Sequence, residues 1–425
     1  MAILVFLGTL AVGLAIGIPI AFVMMLCAVT LMMFLGIFDT TIVAQNLVMG
    51  SNNASLMAIP FFMLAGEIMS KGGLSERIVN FANLVVGRVK GGLGYAAILA
   101  SMLFAGLSGS PVADAAALGG IMIPLMVQNG YNRDRSTALV CSGAVIAPII
   151  PPSIPFIVLG TTVGISVGKL FMAGLVPGII LGLALMMTWK LIVKKDGYND
   201  TRTYTKEEAK FILKDSLAAL FMPVLIIGGI RCGLFTPTEA GAFAVVYALF
   251  CSCIVYREMS LKQFVEVFVD AAKLTGTVML IVGAANAVGW LITVAQIPAL
   301  VVQYLGPLVQ HPAILLVAIN IFLFIMGMIL DLTPNLLIFG PILYPLIQAA
   351  GIDPIFFGVV MVLNLTIGLI TPPVGTILYL GCSVGHTTFG SLVKGILPFI
   401  LTEIIVLFIF IFVPGLITVP AGWLS

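Results

Sequence analysis

The sequence predicts an all-α polytopic membrane protein built from two inverted repeats, and three observations carry that prediction. Of 425 residues, 61% are hydrophobic and 8% charged, with mean hydropathy +1.23; soluble domains carry roughly 25% charged residues. The tetrad Ile-Ile-Pro-Pro at Ile149 to Pro152 returns as Ile-Thr-Pro-Pro at Ile370 to Pro373, 221 residues later. Pro124-Leu125, Gly130 and Gly160 return with that same spacing at Pro345-Leu346, Gly351 and Gly381. Finally, Lys190, Lys194, Lys195, Arg202, Lys206, Lys210 and Lys214, seven of the nineteen basic residues, fall in one interval near the midpoint.

Repeat one, residues 1–192, opens with the apolar run Met1 to Ile37. It lacks a basic leader and a small-residue cleavage pattern, so it is expected to be a retained anchor and not a signal peptide. A single helix of that length would overrun a hydrocarbon core of about 30 Å, so a break is expected at Gly17 to Pro19. Gly73 to Val89 is amphipathic, with Leu74, Ile78, Phe81 and Val85 on one face and Ser75, Glu76, Asn83 and Arg88 off it, and such a helix prefers the interface. The apolar stretch 91–126 is interrupted at Ser108 to Asp114. Each half is too short to cross, which predicts a re-entrant hairpin with a polar tip inside the membrane. A helix over 137–166 is broken at Pro151-Pro152.

The basic interval places residues 193–216 in the cytoplasm as a linker between the repeats, with a short surface helix expected over 206–215. Repeat two, residues 217–425, follows the same order. Ser260 to Asp270 stands where Asp39 to Leu47 stood, and Pro298 to Gln310 takes the place of the amphipathic element. A second hairpin spans 313–347 and is interrupted at Asp331-Leu332-Thr333-Pro334; a second proline-broken helix spans 353–381. Matching Ser110-Pro111 to Thr333-Pro334 needs a two-residue slip in the spacing. An odd number of spans per copy makes the copies face opposite ways.

Polar groups at membrane depth gather at these breaks. A carboxylate there costs at least about 2.5 kcal/mol, so Asp114 and Asp331 each need a cation, a partner or water; capping the second hairpin helix is the structural alternative for Asp114. Ser108, Ser110, Ser153, Thr333, Thr371 and Thr376, with unwound backbone at Ile150, Pro151 and Pro372, supply the oxygens that sodium requires. Each hydroxyl has the alternative of bonding back to its own helix. The half-helix N-termini at the same tips suit an anionic substrate, which makes Ser110, Ser153 and Thr376 candidate substrate contacts. Glu67 and Glu239 also lie in or beside apolar runs, with the interface within their reach.

Other chemistries find little support. Cys27, Cys141, Cys232, Cys251, Cys253 and Cys382 lie in apolar segments, and with two histidines, His311 and His386, they show no metal-ligand spacing. Gly164 to Leu170 only faintly resembles a phosphate loop and lacks Ser or Thr after Lys169. A net charge of +2 and the lack of a basic run interleaved with aromatics argue against nucleic acid. A catalytic constellation is missing, so no enzyme and no cofactor beyond a coupling ion is expected. A channel needs a continuous polar lining, whereas polarity here is confined to two broken places.

Five segments then carry a family resemblance: Ala58 to Glu67 (AIPFFMLAGE), Leu107 to Asp114 (LSGSPVAD), Ala147 to Pro155 (APIIPPSIP), Gly233 to Gly241 (GLFTPTEAG) and Gly368 to Gly375 (GLITPPVG). Together they resemble the large membrane subunit of tripartite ATP-independent periplasmic (TRAP) transporters, most nearly those for 2,3-diketo-L-gulonate, with C4-dicarboxylate and sialic acid types as alternatives. The resemblance implies an elevator-type, sodium-driven symporter of the bacterial inner membrane, with a proton-coupled variant and an anion channel as the other readings. It also implies a small four-helix membrane subunit and a periplasmic binding protein that delivers an organic acid. Carried over by position, the sodium and substrate elements fall on Ser108 to Asp114, Ile150 to Ser153, Asp331 to Pro334 and Thr371 to Thr376.

Overall fold

A computed structural model describes residues 1–198, 201 and 203–424, and every regular element among them is helical. Asn199, Asp200, Ser425 and Arg202, one of the seven linker cations, lie outside the described residues. The first run divides as expected into α1 (Ala2–Ala15) and α2 (Ile20–Leu35), with Gly17 at φ 83° and Pro19 capping α2. α3 (Thr40–Ser51) starts where Asp39 accepts the Thr41 amide at 2.7 Å. After Asn52-Asn53 and a 3-10 turn come α4 (Ala58–Lys71) and α5 (Leu74–Val86). The first hairpin is α6 (Gly92–Ser108) and α7 (Pro111–Gln128); the first broken helix is α8 (Arg133–Gly143) and α9 (Ile154–Val163), followed by α10 (Val167–Asp196).

The second half runs through α11 (Lys206–Arg231), α12 (Pro237–Leu249, widening into a π-helical turn over Phe250–Val255), α13 (Leu261–Val294) and α14 (Ile297–Val309). The second hairpin is α15 (Pro312–Ile329) and α16 (Leu332–Ala349), the second broken helix α17 (Pro354–Gly368) and α18 (Thr376–Gly385), and α19 (Phe389–Phe412) and α20 (Gly415–Leu424) close the chain. Nine of the described helices are long and apolar enough to cross a membrane.

The two halves pack reciprocally. α7 lies against α18 and α16 against α9, while α8 meets α19 and α17 meets α10. A Cβ on Gly119 would sit 3.1 Å from Val384, and one on Gly340 would sit 3.3 Å from Val163. Gly119 and Gly340 are 221 apart, as are Val163 and Val384, so each half offers its partner the contact it receives. That is the signature of a two-fold relation.

The hairpins enter from opposite faces. Trp189 near the linker end of α10 donates its indole N–H to Gly91 O at 3.0 Å, fixing the mouth of the first hairpin on the linker side. α9 ends where α10 begins, on the far side, and α16 meets the far end of α9 at Leu159 and Val163 on the way to its own mouth. The repeats are therefore inverted. Around this core of α6–α10 and α15–α19, the helices α1–α4, α12 and α13 pack on one another as an outer frame.

Three local expectations are revised. The short surface helix over 206–215 is the first part of α11, which continues unbroken to Arg231 after a Thr205/Glu208 capping box, so Gly197 to Thr205 alone separates the long helices. On α5 the buried set is Leu74, Ser75, Ile78, Val79, Ala82 and Asn83, while Val85 is exposed; the seam is rotated from the expected stripe and takes in two polar residues. Asp39 to Leu47 begins a separate helix, yet its counterpart from Ser260 opens the 34-residue α13. The difference sits at Asn52-Asn53, where Asn53 accepts the Ser55 amide at 2.9 Å and starts a new turn. The matching positions in repeat two, Lys273 and Leu274, are good helix formers.

Candidate functional site

The tip of the first hairpin seats on the first break. Gly109 adopts φ 60°, and a Cβ there would press into the Pro152 carbonyl oxygen and stand 3.1 Å from Ile154 N. Glycine alone satisfies both demands. Pro151-Pro152 and Pro372-Pro373 are both cis peptides. The second hairpin seats on its own broken helix through Gly327 and Gly368, where a Cβ on Gly368 would stand 2.5 Å from the Gly327 carbonyl carbon. Each pair of half-helices is thus joined at one place in the interior.

Around the first tip, Asp114 is fully buried in the first turn of α7 and accepts a hydrogen bond from the Ser108 hydroxyl through Oδ1. The cap itself is Ser110, whose Oγ accepts the Ala113 amide at 3.4 Å, with Pro111 opening the helix. Asp114 is therefore not the cap, and its Oδ2 is buried without a partner. Ser153 caps α9, accepting from Phe156 N at 3.2 Å and donating to Pro148 O at 2.5 Å. Ile150, Pro151 and Ser153 are all buried beneath this tip.

The second tip corresponds at a constant spacing of 221, without the slip the sequence suggested. α7 begins at Pro111 and α16 at Leu332, so Asp331 occupies the Ser110 position and Asn335 the Asp114 position. Asn335, absent from the residues expected from sequence, is fully buried and donates to Met326 O at 3.3 Å, Leu330 O at 3.0 Å and Asp331 O at 3.1 Å. Its Oδ1 is buried without a partner, the counterpart of Asp114 Oδ2. Strict extension of the 221 spacing from Asp114 would have found it. Asp331 is exposed and makes no side-chain cap bond. Thr333 is half-buried, Thr371 bonds back to Ile367 O at 2.8 Å, and Pro372 and Thr376 are half-buried, with Thr376 Oγ1 unpartnered.

The structure thus gathers Ser108, Ser110, Asp114, Ile150, Pro151 and Ser153 at one closed tip and break. Asp331 and Thr333 stand at the second tip and Thr371, Pro372 and Thr376 at the second break, in a more open setting. None of them lines the polar cavity of ≈ 420 Å³ found between frame and core. That cavity carries Asn46 and Asn53 from the α3 region, Asn286 and Thr293 from α13, and Thr161 and Thr162 from α9. It opens on the face away from the linker, where α9 ends. Sequence reading also passed over Glu403, a fully buried carboxyl midway along α19 that accepts from the Ser142 hydroxyl and leaves Oε2 unpartnered. A lone acid in a 24-residue apolar helix was the available signal.

Inverted repeats, paired hairpin tips, paired proline breaks and a polar cavity between frame and core are the architecture of a membrane permease. The profile described as "Tripartite ATP-independent periplasmic transporter, DctM component" matches residues 7–416, and the chain belongs to that family: it is a TRAP transporter large permease, a multi-pass protein of the bacterial inner membrane and not an enzyme. It is 48% identical over 425 residues, covering 100% of both chains, to the 2,3-diketo-L-gulonate TRAP transporter large permease protein YiaN of Escherichia coli. It is 38% identical over 391 residues, 92% of each chain, to the sialic acid TRAP transporter large permease protein SiaM of Vibrio cholerae. The crystal structure of the Alcanivorax borkumensis YdaH transporter, with its reported unusual topology, shares the fold at TM-score 0.64 and 13% identity over 90% of this chain and 87% of that one.

Proposed function

We propose that this permease couples import of an organic acid to sodium, with one cation held at each hairpin tip. The observation that carries the reading is the pair of buried, unpartnered oxygens at pseudo-equivalent positions, Asp114 Oδ2 and Asn335 Oδ1. A buried polar oxygen without a partner costs about 1–3 kcal/mol, and a cation at each tip removes that cost by coordinating the oxygen there. Ser108 Oγ and the Pro151 and Pro152 carbonyls stand around the first tip; Asp331, Thr333 and the unpartnered Thr376 hydroxyl supply oxygens around the second. Ser110, Ser153 and Thr376 beside the half-helix N-termini remain the proposed substrate contacts.

The solute is a small carboxylate, a sugar acid such as 2,3-diketo-L-gulonate being favoured by the full-length likeness to YiaN; C4-dicarboxylates and sialic acid are the alternatives. A periplasmic binding protein delivers it, and a small four-helix membrane subunit accompanies this chain. The amide- and hydroxyl-lined cavity is its approach to the core from the far face, and an elevator movement of the core against the frame carries it across. Proton coupling is the second reading, favoured by the buried carboxyls Asp114 and Glu403.

Sodium titration of the purified chain tests the cation sites. Asp114→Asn removes a charge-assisted contact worth about 1.5–3 kcal/mol, a tenfold to hundredfold weakening of sodium affinity. Unchanged sodium affinity in Asp114→Asn, with loss of pH-dependent uptake instead, would move the assignment to protons.

A further inference from the structure

On the linker side a groove of ≈ 1260 Å³ lies between the C-terminal turn of α5, the second half of α10 and the middle of α19. Its walls are apolar: Val85 and Val89 from the α5 end, Met187 and Leu191 from α10, Ile405 and Ile409 from α19. Met187 is 65% and Leu191 71% exposed, so the walls face whatever fills the groove. Lys90, Lys190 and Lys194 stand among its lining residues, and none of those residues is acidic. Among the described residues none of these lysines forms an ion pair, and the nearby Asp196 is engaged by Arg135 at 3.5 Å.

Lys190 and Lys194 are one helical turn apart, a like-charge arrangement that disfavours itself by a few tenths of a kcal/mol, and Lys90 adds a third cation from another element. Three uncompensated cations over an apolar trough ask for an amphiphile with an anionic head. The aromatic stack of Tyr131, Trp189 and Tyr198, with ring centroids 4.3–6.0 Å apart, packs beside the groove, and Tyr198 forms part of its lining. We propose that this groove binds an anionic phospholipid from the linker-side leaflet, with Lys90, Lys190 and Lys194 on the phosphate and an acyl chain along α10 and α19. Basic pockets between membrane helices on the cytoplasmic side recognise such headgroups. The apolar lining from Val85, Val89, Met187, Leu191, Ile405 and Ile409 favours a lipid over a free anion. The lipid lies where the end of α5, itself packed on α6, meets α10 and α19.

Native mass spectrometry of the full chain, titrated with dioleoyl phosphatidylglycerol or dioleoyl phosphatidylcholine, tests this. The expected result is preferential retention of phosphatidylglycerol at low stoichiometry. Each lysine contributes about fivefold, so K90Q/K190Q/K194Q should weaken retention about a hundredfold without changing phosphatidylcholine background. M187W, which fills the trough and leaves the lysines in place, should displace the lipid as well. Equal retention of the two lipids by the unmodified chain overturns the proposal. So does full retention by the triple variant, or competition by inorganic phosphate with phosphatidylglycerol still bound in M187W, which marks a site for small anions only.

Discussion

Gly109→Ala should be a strongly damaging single methyl in the core. At φ 60° an Ala carries a left-handed backbone penalty of about 1–2 kcal/mol. Its Cβ would also press into the Pro152 carbonyl and stand 3.1 Å from Ile154 N. Both obstacles are backbone atoms, which cannot rotate away, so overpacking adds about 1–3 kcal/mol. The sum, about 2–5 kcal/mol, falls on the joint between the first hairpin and the first break. Gly120→Ala is the control: it lies inside α7 with nothing within 4 Å of a new Cβ, and Ala gains up to about 1 kcal/mol over Gly in a helix. Thermal unfolding in detergent, followed by tryptophan fluorescence, should show Gly109→Ala melting roughly 2–6 °C below wild type, with Gly120→Ala at or above it. A Gly109→Ala protein that melts with wild type would refute the claim that tip and break are in contact in the resting molecule.

Arg77→Ala should loosen the linker-side brace, because Arg77 pairs with Glu258 at 2.8 Å and Asp215 at 3.1 Å and lies 3.7 Å from the Tyr256 ring centroid. These contacts are partly exposed, so a loss of about 1–3 kcal/mol is expected in the same melting assay. Arg77→Lys should recover little of it, since the fork onto Glu258 is lost; full recovery by Lys would mean that charge alone matters. For Glu403, Gln keeps an acceptor for the Ser142 hydroxyl and should melt within about 1 kcal/mol of wild type. Glu403→Leu strands Ser142 and should cost about 1–3 kcal/mol, and equal melting of the two variants would remove the structural role assigned to that contact.

The architecture was legible because the repeat was. A spacing of 221 residues located hairpins, breaks and interfacial elements, and the structure starts α7 and α16 at that spacing. What misled was chemical likeness. Ser110-Pro111 and Thr333-Pro334 look alike, yet the cap of α16 is Asp331, and the residue facing Asp114 across the pseudo-symmetry is Asn335. Helix continuity in α13 and α11 was lost to local polarity: Lys206 to Asp215 looks like a surface helix until its register joins the apolar turns behind it. Glu403 escaped because its partner Ser142 is 261 residues away, and only the packing of α8 on α19 unites them.

Uptake in proteoliposomes tests the central claim most directly. The chain is reconstituted with its proposed small membrane subunit and binding protein, and a labelled sugar acid is supplied outside. The account predicts accumulation that follows an inward sodium gradient, disappears when potassium replaces sodium, and needs the binding protein. It also predicts that Ser110→Ala and Asp331→Asn raise the sodium concentration for half-maximal uptake while Lys262→Ala, on the exposed first turn of α13, does not. Undiminished uptake without sodium, or wild-type sodium curves for both tip variants, would contradict it.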